Sequence, residues 1–289
     1  MKSGEIKKKA FSIKNLSDIL YAIQLISLIK MKKAQRMLWD TQPFIKEVLK
    51  ILAELIRHEK VKESIYFKKE AKKTLAVVIS SDRGFCGSFN RNILNFAYQE
   101  IEKIGEMDVF AVGKKAILFF QRKKMKIVEK VTGIGDFGEI HETKPIADKL
   151  IEFFLKGKYQ KIYLFYTKFF STFFQKPTTF QLLPLDFEAV TTLLKEYQKE
   201  KEKGYFVLLE PSPEEIFDQL VPHLIRYLVH YAILEANASE HSARFLAMKR
   251  AVDNTKELIY NLTLIYNKLR QAEITNEVSE ISLAKEALQ

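Results

Sequence analysis

Apolar residues near the start of the chain recur at alternating spacings of three and four: Ile13, Leu16, Leu20, Ile23, then Ala34, Met37, Phe44, Val48, Ile51 and Leu55. Ser27, Lys30 and Thr41 stand in the same register and interrupt it. This is a heptad seam, the pattern of a helix that buries one stripe against a partner helix. No glycine lies between Gly4 and Gly84, and Pro43 is the only proline before Pro145. One long helix is expected, with a bend or local break at Pro43. The end of the chain repeats the pattern through Met248, Ala251, Thr255, Leu258, Leu262, Ile265, Leu269 and Ala272, with neither Gly nor Pro after Pro222. A helix that long reaches about 100 Å at ~1.5 Å per residue. Pro211 and Pro213, followed by Glu214 and Glu215, mark its start, with acidic side chains where the helix dipole favours them.

Between these arms the period changes. Thr74–Ser80, Asp108–Gly113 and Lys161–Thr167 are short β-branched and aromatic runs that read as strands. Helical stretches separate them around Asn90–Ile104, Lys114–Arg122 and Pro145–Leu155, and Thr178–Leu185 and Tyr205–Glu210 read as further strands. Strands alternating with helices predict a compact α/β domain on a mainly parallel sheet. The expected architecture is an antiparallel pair of long N- and C-terminal helices with an inserted Rossmann-like α/β domain. Its segments are residues 1–73, 74–208 and 209–289. A two-helix rod leaves apolar surface that its own seam cannot cover, so a surrounding protein sleeve is expected.

Charge sharpens this picture. The net charge is +11, and it is unevenly spread. Residues 1–73 carry 18 Lys and Arg against 8 Asp and Glu, whereas residues 209–289 carry 8 against 12. A basic arm suits nucleic acid, an acidic protein partner or the acidic second arm. Lys30, Lys32, Lys33 and Arg36 form a basic band that reads either as a solvated face or as a contact for an acidic partner. The most apolar stretch, Ile19 to Met31, is too short for a hydrocarbon core that needs about 20 residues. No secretory signal opens the chain, and a single cysteine, Cys86, excludes an internal disulfide.

Chemistry is sparse. Ser80–Asn92 (SSDRGFCGSFNRN) follows a strand and precedes a helix, where phosphates are often bound. It lacks the Gly-Lys-Ser/Thr of a P-loop, and Gly84 and Gly87 are spaced GxxG, not GxGxxG, so a strand-to-helix turn needing small residues is expected. Cys86 has no histidine at a recognisable spacing and reads as a small buried thiol. His58, His141, His223, His230 and His241 make no metal pattern, so neither metal nor cofactor is expected, and His241 reads as an interaction or capping residue on a helix face. Phe169–Phe180 reads as core or subunit interface, or less readily as a base-stacking surface. A coiled-coil adaptor and a basic nucleic-acid binder remain open as alternatives, while an enzyme built on the central domain lacks a nucleophile–base set.

Ala238–Ile259 and Leu262–Ile281 resemble the C-terminal helix of ATP synthase gamma subunits, with the family's YNK-x-RQA-x-IT-x-E string standing at Tyr266–Glu277. SDRGFCGSFN, the YTKF to QLLPL segment, and the K-x-KKAQ pattern ending at Gln35 resemble further family segments in order along the chain. The resemblance implies a non-catalytic central rotor shaft. Such a shaft stands inside three alpha and three beta subunits, one copy per complex, with an epsilon-type subunit and a ring of c subunits at its foot. It implies ion-driven rotation coupled to the three catalytic beta sites, no cofactor, no nucleic acid, and membrane association only through the complex. In a bacterium that places the chain at the cytoplasmic face of the inner membrane. Arg270, Gln271, Thr275 and Glu277 match the family's contact with a beta-subunit loop, and Ile281 and Leu288 its apolar bearing. Three departures stand out. Leu20-Tyr21-Ala22-Ile23 replaces a Thr-Lys-Ala-Met stretch and loses its lysine, and Ser282-Leu283 replaces a Gly-Gly. The cysteine insertion of chloroplast relatives is absent, which argues against thiol control.

Overall fold

The computed structural model describes residues 3–67, 73–185 and 210–286, with no side chain described at 45, 46 or 283–286. Helix α1 (Ser3–Ile56) is followed by two 3-10 turns, Glu59–Glu63 and Ile65–Phe67. Then come β1 (Thr74–Ile79), α2 (Phe89–Ile104), β2 (Met107–Val112), α3 (Lys114–Arg122), β3 (Ile127–Val131), α4 (Ile140–Leu155), β4 (Lys161–Phe169), β5 (Gln175–Leu183) and α5 (Pro213–Glu286). The expected strand at Tyr205–Glu210 lies outside the described residues. So does Leu288.

The chain divides into two compact units, Met1–Ser27 with Arg244–Gln289, and Leu28–Ala243. The larger is the α/β unit. Its sheet runs β3-β2-β1-β4-β5, parallel except for the antiparallel β4–β5 hairpin. The helix-linked strands are parallel because a crossover helix returns the chain to the same end. β1 is buried along almost its whole length, as a strand covered on both faces must be. Ala76, Val78 and Phe165 pack with Ile93 and Ala97 of α2 and Phe120 of α3 on one face. On the other, Leu75, Val77 and Leu164 pack with Leu150 of α4, Leu52 of α1 and Phe217 and Ile225 of α5. β3 was not anticipated. Its sequence, IVEKV, offers neither an apolar run nor a strict alternation, because it is a half-buried edge strand with Lys130 facing solvent.

α1 runs through Pro43 without a break, and α5 runs through Pro222. Of the bend or local break expected at Pro43, the break is therefore not seen, and the lost backbone bond is tolerated on an exposed position. α5 starts at Pro213 with Glu214 and Glu215 in its first turn, and the Ser212 hydroxyl accepts the Glu215 N–H.

In the smaller unit α1 and α5 run antiparallel, tied by Ser3 to Glu273 and by the Thr255 hydroxyl to Ser17. The seam keeps half of its expected register. Ile13, Leu20 and Ser27 on α1, and Met248, Thr255, Leu262 and Leu269 on α5, turn inward. The intervening positions shift by one. Leu16 is 48% exposed while Ser17 is 7%, and on α5 Val252, Ile259 and Tyr266 take the places assigned to Ala251, Leu258 and Ile265. In the α/β unit the same shift puts Met31, Leu38 and Leu52 inside, where Lys30, Met37 and Ile51 stood in the expected register. Large apolar side chains such as Leu16, Leu258 and Ile265 are left outward, each about half exposed.

Candidate functional site

The loop after β1 was the strongest chemical candidate in the sequence, and its polar groups are engaged within the chain. Asn90 at the start of α2 stitches it, accepting the Ser81 N–H at 3.0 Å and donating to the Ser81 hydroxyl at 2.7 Å and to the buried Cys86 sulfur at 3.1 Å. Ser80, Ser81 and Asp82 then meet the first turn of α3, whose N–H groups lack helical partners. Lys114 N–H donates to Asp82 Oδ1 at 2.8 Å, Lys115 N–H to the Ser81 carbonyl at 3.2 Å, and Ala116 N–H to the Ser80 hydroxyl at 2.8 Å. Asp82 Oδ2 accepts the Gly133 N–H at 2.7 Å. An internal carboxylate thus takes the free N–H groups at the N-terminus of α3, where an outside anion could otherwise bind. The remaining crevice of about 30 Å³ has room for little more than one water. Gly113 (φ +92°) permits the closeness, since a Cβ there would collide with the Ser80 carbonyl.

The basic band separates into two parts. Lys30 pairs with Asp136 at 2.5 Å, and Lys33 lies over the Phe137 ring at 3.8 Å, so both are engaged within the chain. Lys32 and Arg36 are exposed. Arg83 at 3.9 Å and His241 at 3.8 Å also face Asp136, and His241 Nε2 lies 3.1 Å from its carbonyl. Burial opposes the charge on Asp136, but the Lys30 hydrogen bond and charge, with His241 and Arg83, prevail and hold its carboxyl below the ordinary range. His241 is therefore an interaction residue, as expected, and a buried member of a polar cluster. In the Phe-rich stretch, Phe170, Phe173 and Phe174 crown the β4–β5 turn in solvent, while Phe169 and Phe180 are half-buried.

The tip of α5 has the most distinctive surface. Every described residue from Arg270 to Ser282 is exposed. At about 100° per residue, Arg270 and Glu277 share one stripe, and Gln271 and Thr275 share another roughly 130° away. Between the two stripes lie Ile274, Val278 and Ile281, each about half exposed or more, with Ile281 at 69%. The four expected residues thus border an apolar strip on the side of α5 turned away from its seam. Thr275 Oγ1 donates to the Gln271 carbonyl at 2.8 Å, which fixes its rotamer. A chain exposing such a strip along a bare helix presents it for a protein surface. The polar borders were legible in the sequence. The strip itself was obscured, because Ile274 and Val278 fall outside the expected seam.

Among the described residues, no three His, Cys, Asp or Glu side chains converge as a metal site, and no helix is long and apolar enough to cross a membrane.

Comparison with known proteins accounts for this combination. Residues 2–288 match the family described as ATP synthase. The ATP synthase gamma chain of Roseiflexus castenholzii is 37% identical, covering 98% of this chain and 97% of its own. That of Ruminococcus albus is 35% identical, covering 97% and 96%. Among solved structures, the rotor of Euglena gracilis mitochondrial ATP synthase in rotational state 1 superposes with a TM-score of 0.63 at 21% identity, covering 94% of this chain and 98% of that one. A second Euglena gracilis structure, the OSCP/F1/c-ring assembly in rotational state 3, gives a TM-score of 0.65 at 18% identity over 99% and 94%. Both share the paired long helices and the inserted mixed sheet. The chain belongs to the ATP synthase gamma chain family.

Proposed function

We infer that this chain is the central rotor shaft of an F-type ATP synthase, coupling ion-driven rotation of a c-ring to the catalytic cycle of three beta subunits. The apolar strip of α5, bordered by Arg270, Glu277, Gln271 and Thr275, carries the reading of how it acts. Residues 209–289 with 1–73 form the shaft inside the alpha and beta subunits, and residues 74–208 form the foot that meets an epsilon-type subunit and the c-ring. The shaft is asymmetric, because the strip occupies one side only. Each beta subunit therefore meets a different surface as the shaft turns, and the three sites are held in different states. Polar borders grip a beta-subunit loop, while Ile274, Val278 and Ile281 slide with few directional bonds to break.

The chain itself carries no catalytic residue. Among the described residues the loop after β1 spends its polar groups on α3 and α2 through Asp82 and Asn90, and this supports a mechanical role. Lys32 and Arg36, exposed on α1, are left as the contact for an acidic partner surface. The chain works at the cytoplasmic face of a bacterial inner membrane, held there by the complex.

Reconstitution with the alpha and beta subunits tests this. The wild type should co-elute at one copy per three beta subunits and raise ATP turnover. Replacing Arg270, Gln271, Thr275 and Glu277 together by Ala should lower turnover on the order of tenfold, the scale of a few lost interface contacts. Secondary structure should be unchanged, since all four are exposed. Unaltered turnover in the fourfold variant removes these residues from the coupling contact.

A further inference from the structure

A second site lies in the α/β unit, between α4 and α5, and nothing in the rotor mechanism uses it. Helix spacing creates it. His223, Arg226, Tyr227 and His230 are separated by three or four residues along α5, and Ile140, Thr143 and Lys144 by the same spacing on α4, so each helix turns one stripe toward the other. The partly open cavity between them measures about 200 Å³.

The lining has the chemistry of an oxyanion receptor. Two permanent cations, Lys144 and Arg226, and two imidazoles face the space, and none of the lining residues is a carboxylate. Among the described residues Lys144 has no ion-pair partner. Arg226 gives its Nε to Asp148 at 2.6 Å, just outside the cavity. His230 is 6% exposed, and its Nδ1 lies 3.1 Å from the Thr143 hydroxyl. That hydroxyl also reaches the Ile140 carbonyl at 3.3 Å. When the hydroxyl donates to Nδ1, the imidazole proton sits on Nε2, leaving a donor for a ligand. When the hydroxyl instead donates to Ile140, Nδ1–H donates to the hydroxyl; Nε2 is then an acceptor in the neutral ring and a donor once the ring is charged, a form that a bound anion favours. Burial disfavours the charged ring, so the empty site holds a neutral His230. A cavity lined by two permanent cations and a buried imidazole that can take up a proton, with no carboxylate in its lining, is organised for an anion.

Size selects the ligand. Pockets for drug-sized molecules run from roughly 300 to 1,000 Å³, and a water takes about 30 Å³. The space therefore admits a small tetrahedral anion with a few ordered waters and excludes a whole nucleotide. We propose that the α4–α5 cavity is a binding site for a phosphate group, held by Arg226, Lys144, His230 and His223.

Isothermal calorimetry of the full chain with inorganic phosphate is the test, with chloride at equal ionic strength as control. Saturable binding at one site per chain is expected. R226Q and K144Q should each weaken it by about tenfold or more, as loss of one charge-assisted hydrogen bond does, with thermal unfolding close to wild type. D148N separates binding from structure: freeing Arg226 from its carboxylate should tighten phosphate binding, whereas a purely structural role for Arg226 would make D148N and R226Q behave alike. Sedimentation with phosphatidylcholine vesicles containing phosphatidylglycerol distinguishes the source. Vesicle retention lost in R226Q, without heat from free phosphate, assigns the group to a lipid headgroup, and heat without retention assigns it to the soluble ion. No saturable heat and no R226Q-sensitive retention, or equal affinity in wild type and R226Q, overturns the proposal. The shaft reading stands or falls separately, on turnover in the reconstituted complex.

Discussion

Glu235 lies on α5 against β4 and is 1% exposed, so its ionisation is coupled to folding. It accepts hydrogen bonds from the Tyr166 hydroxyl and the Phe169 N–H, and its Oε2 has no partner. Burial raises its pKa to about 7 from the ordinary 4.5, against the opposing pull of Lys168, Tyr166 and Phe169. A raised carboxyl pKa means the folded state holds the proton more tightly than the unfolded one. Its stabilising contribution is therefore complete below the unfolded value and is lost as pH rises through about 7. The full loss is about 3 kcal/mol, of which ~2 kcal/mol falls between about pH 5.5 and about pH 8.5. E235Q keeps the acceptor used by Tyr166 and Phe169 but removes the titration. Relative to wild type it should gain about 2 kcal/mol over that interval, a differential rise in Tm of roughly 4–8 °C for a unit of this size. Thermal unfolding of both proteins across the pH range, followed by circular dichroism, measures it. Parallel stability curves for wild type and E235Q would refute the assignment of a proton to the buried carboxyl.

D82A should cost about 1–3 kcal/mol by stripping the tertiary cap from α3, with hydrogen exchange accelerating first at Lys114 and Gly133. D136A should destabilise by about 1–3 kcal/mol through loss of the Lys30 contact. Because the Asp136 pKa is lowered, this contribution is present at neutral pH and fades as acid protonates the carboxyl, so chemical denaturation of wild type and D136A should converge at low pH. Ser27 sits in the seam at 1% exposure with its hydroxyl returned to the Ile23 carbonyl. S27A should be near neutral in thermal unfolding, and S27L should cost about 1–3 kcal/mol by overpacking.

The architecture was readable because long glycine-free heptads and short β-branched runs have different periods, and few other arrangements bury both. The half-register error in both arms has a physical source. Heptad spacing alone does not choose between adjacent apolar residues such as Leu258 and Ile259, and at Leu16 and Ser17 it favours the apolar one although the small polar one is buried. In a helix pair that works inside a partner, the outward stripe is apolar too, so the two stripes look alike in the sequence. β3 escaped because an edge strand needs charge more than hydrophobicity. Arg270, Gln271, Thr275 and Glu277 were found through the family string, since polar residues on an exposed helix carry no signal of their own. The α4–α5 cavity was invisible for another reason. Lys144 and Arg226 stand more than eighty residues apart, and only the packing of the two helices brings them to one space.

The bare end of α5 has a thermodynamic consequence. Beyond the Ser3–Glu273 bond no described residue is covered, and an isolated helix shorter than ~12–15 residues is marginal in water. Amides from Ile274 onward should exchange freely in the lone chain and slow only when another protein surrounds them. Their protection factors therefore form a built-in gauge of assembly, each tenfold slowing reporting about 1.4 kcal/mol of local binding free energy. The gauge reads whether the shaft is seated even in a complex that turns over no ATP.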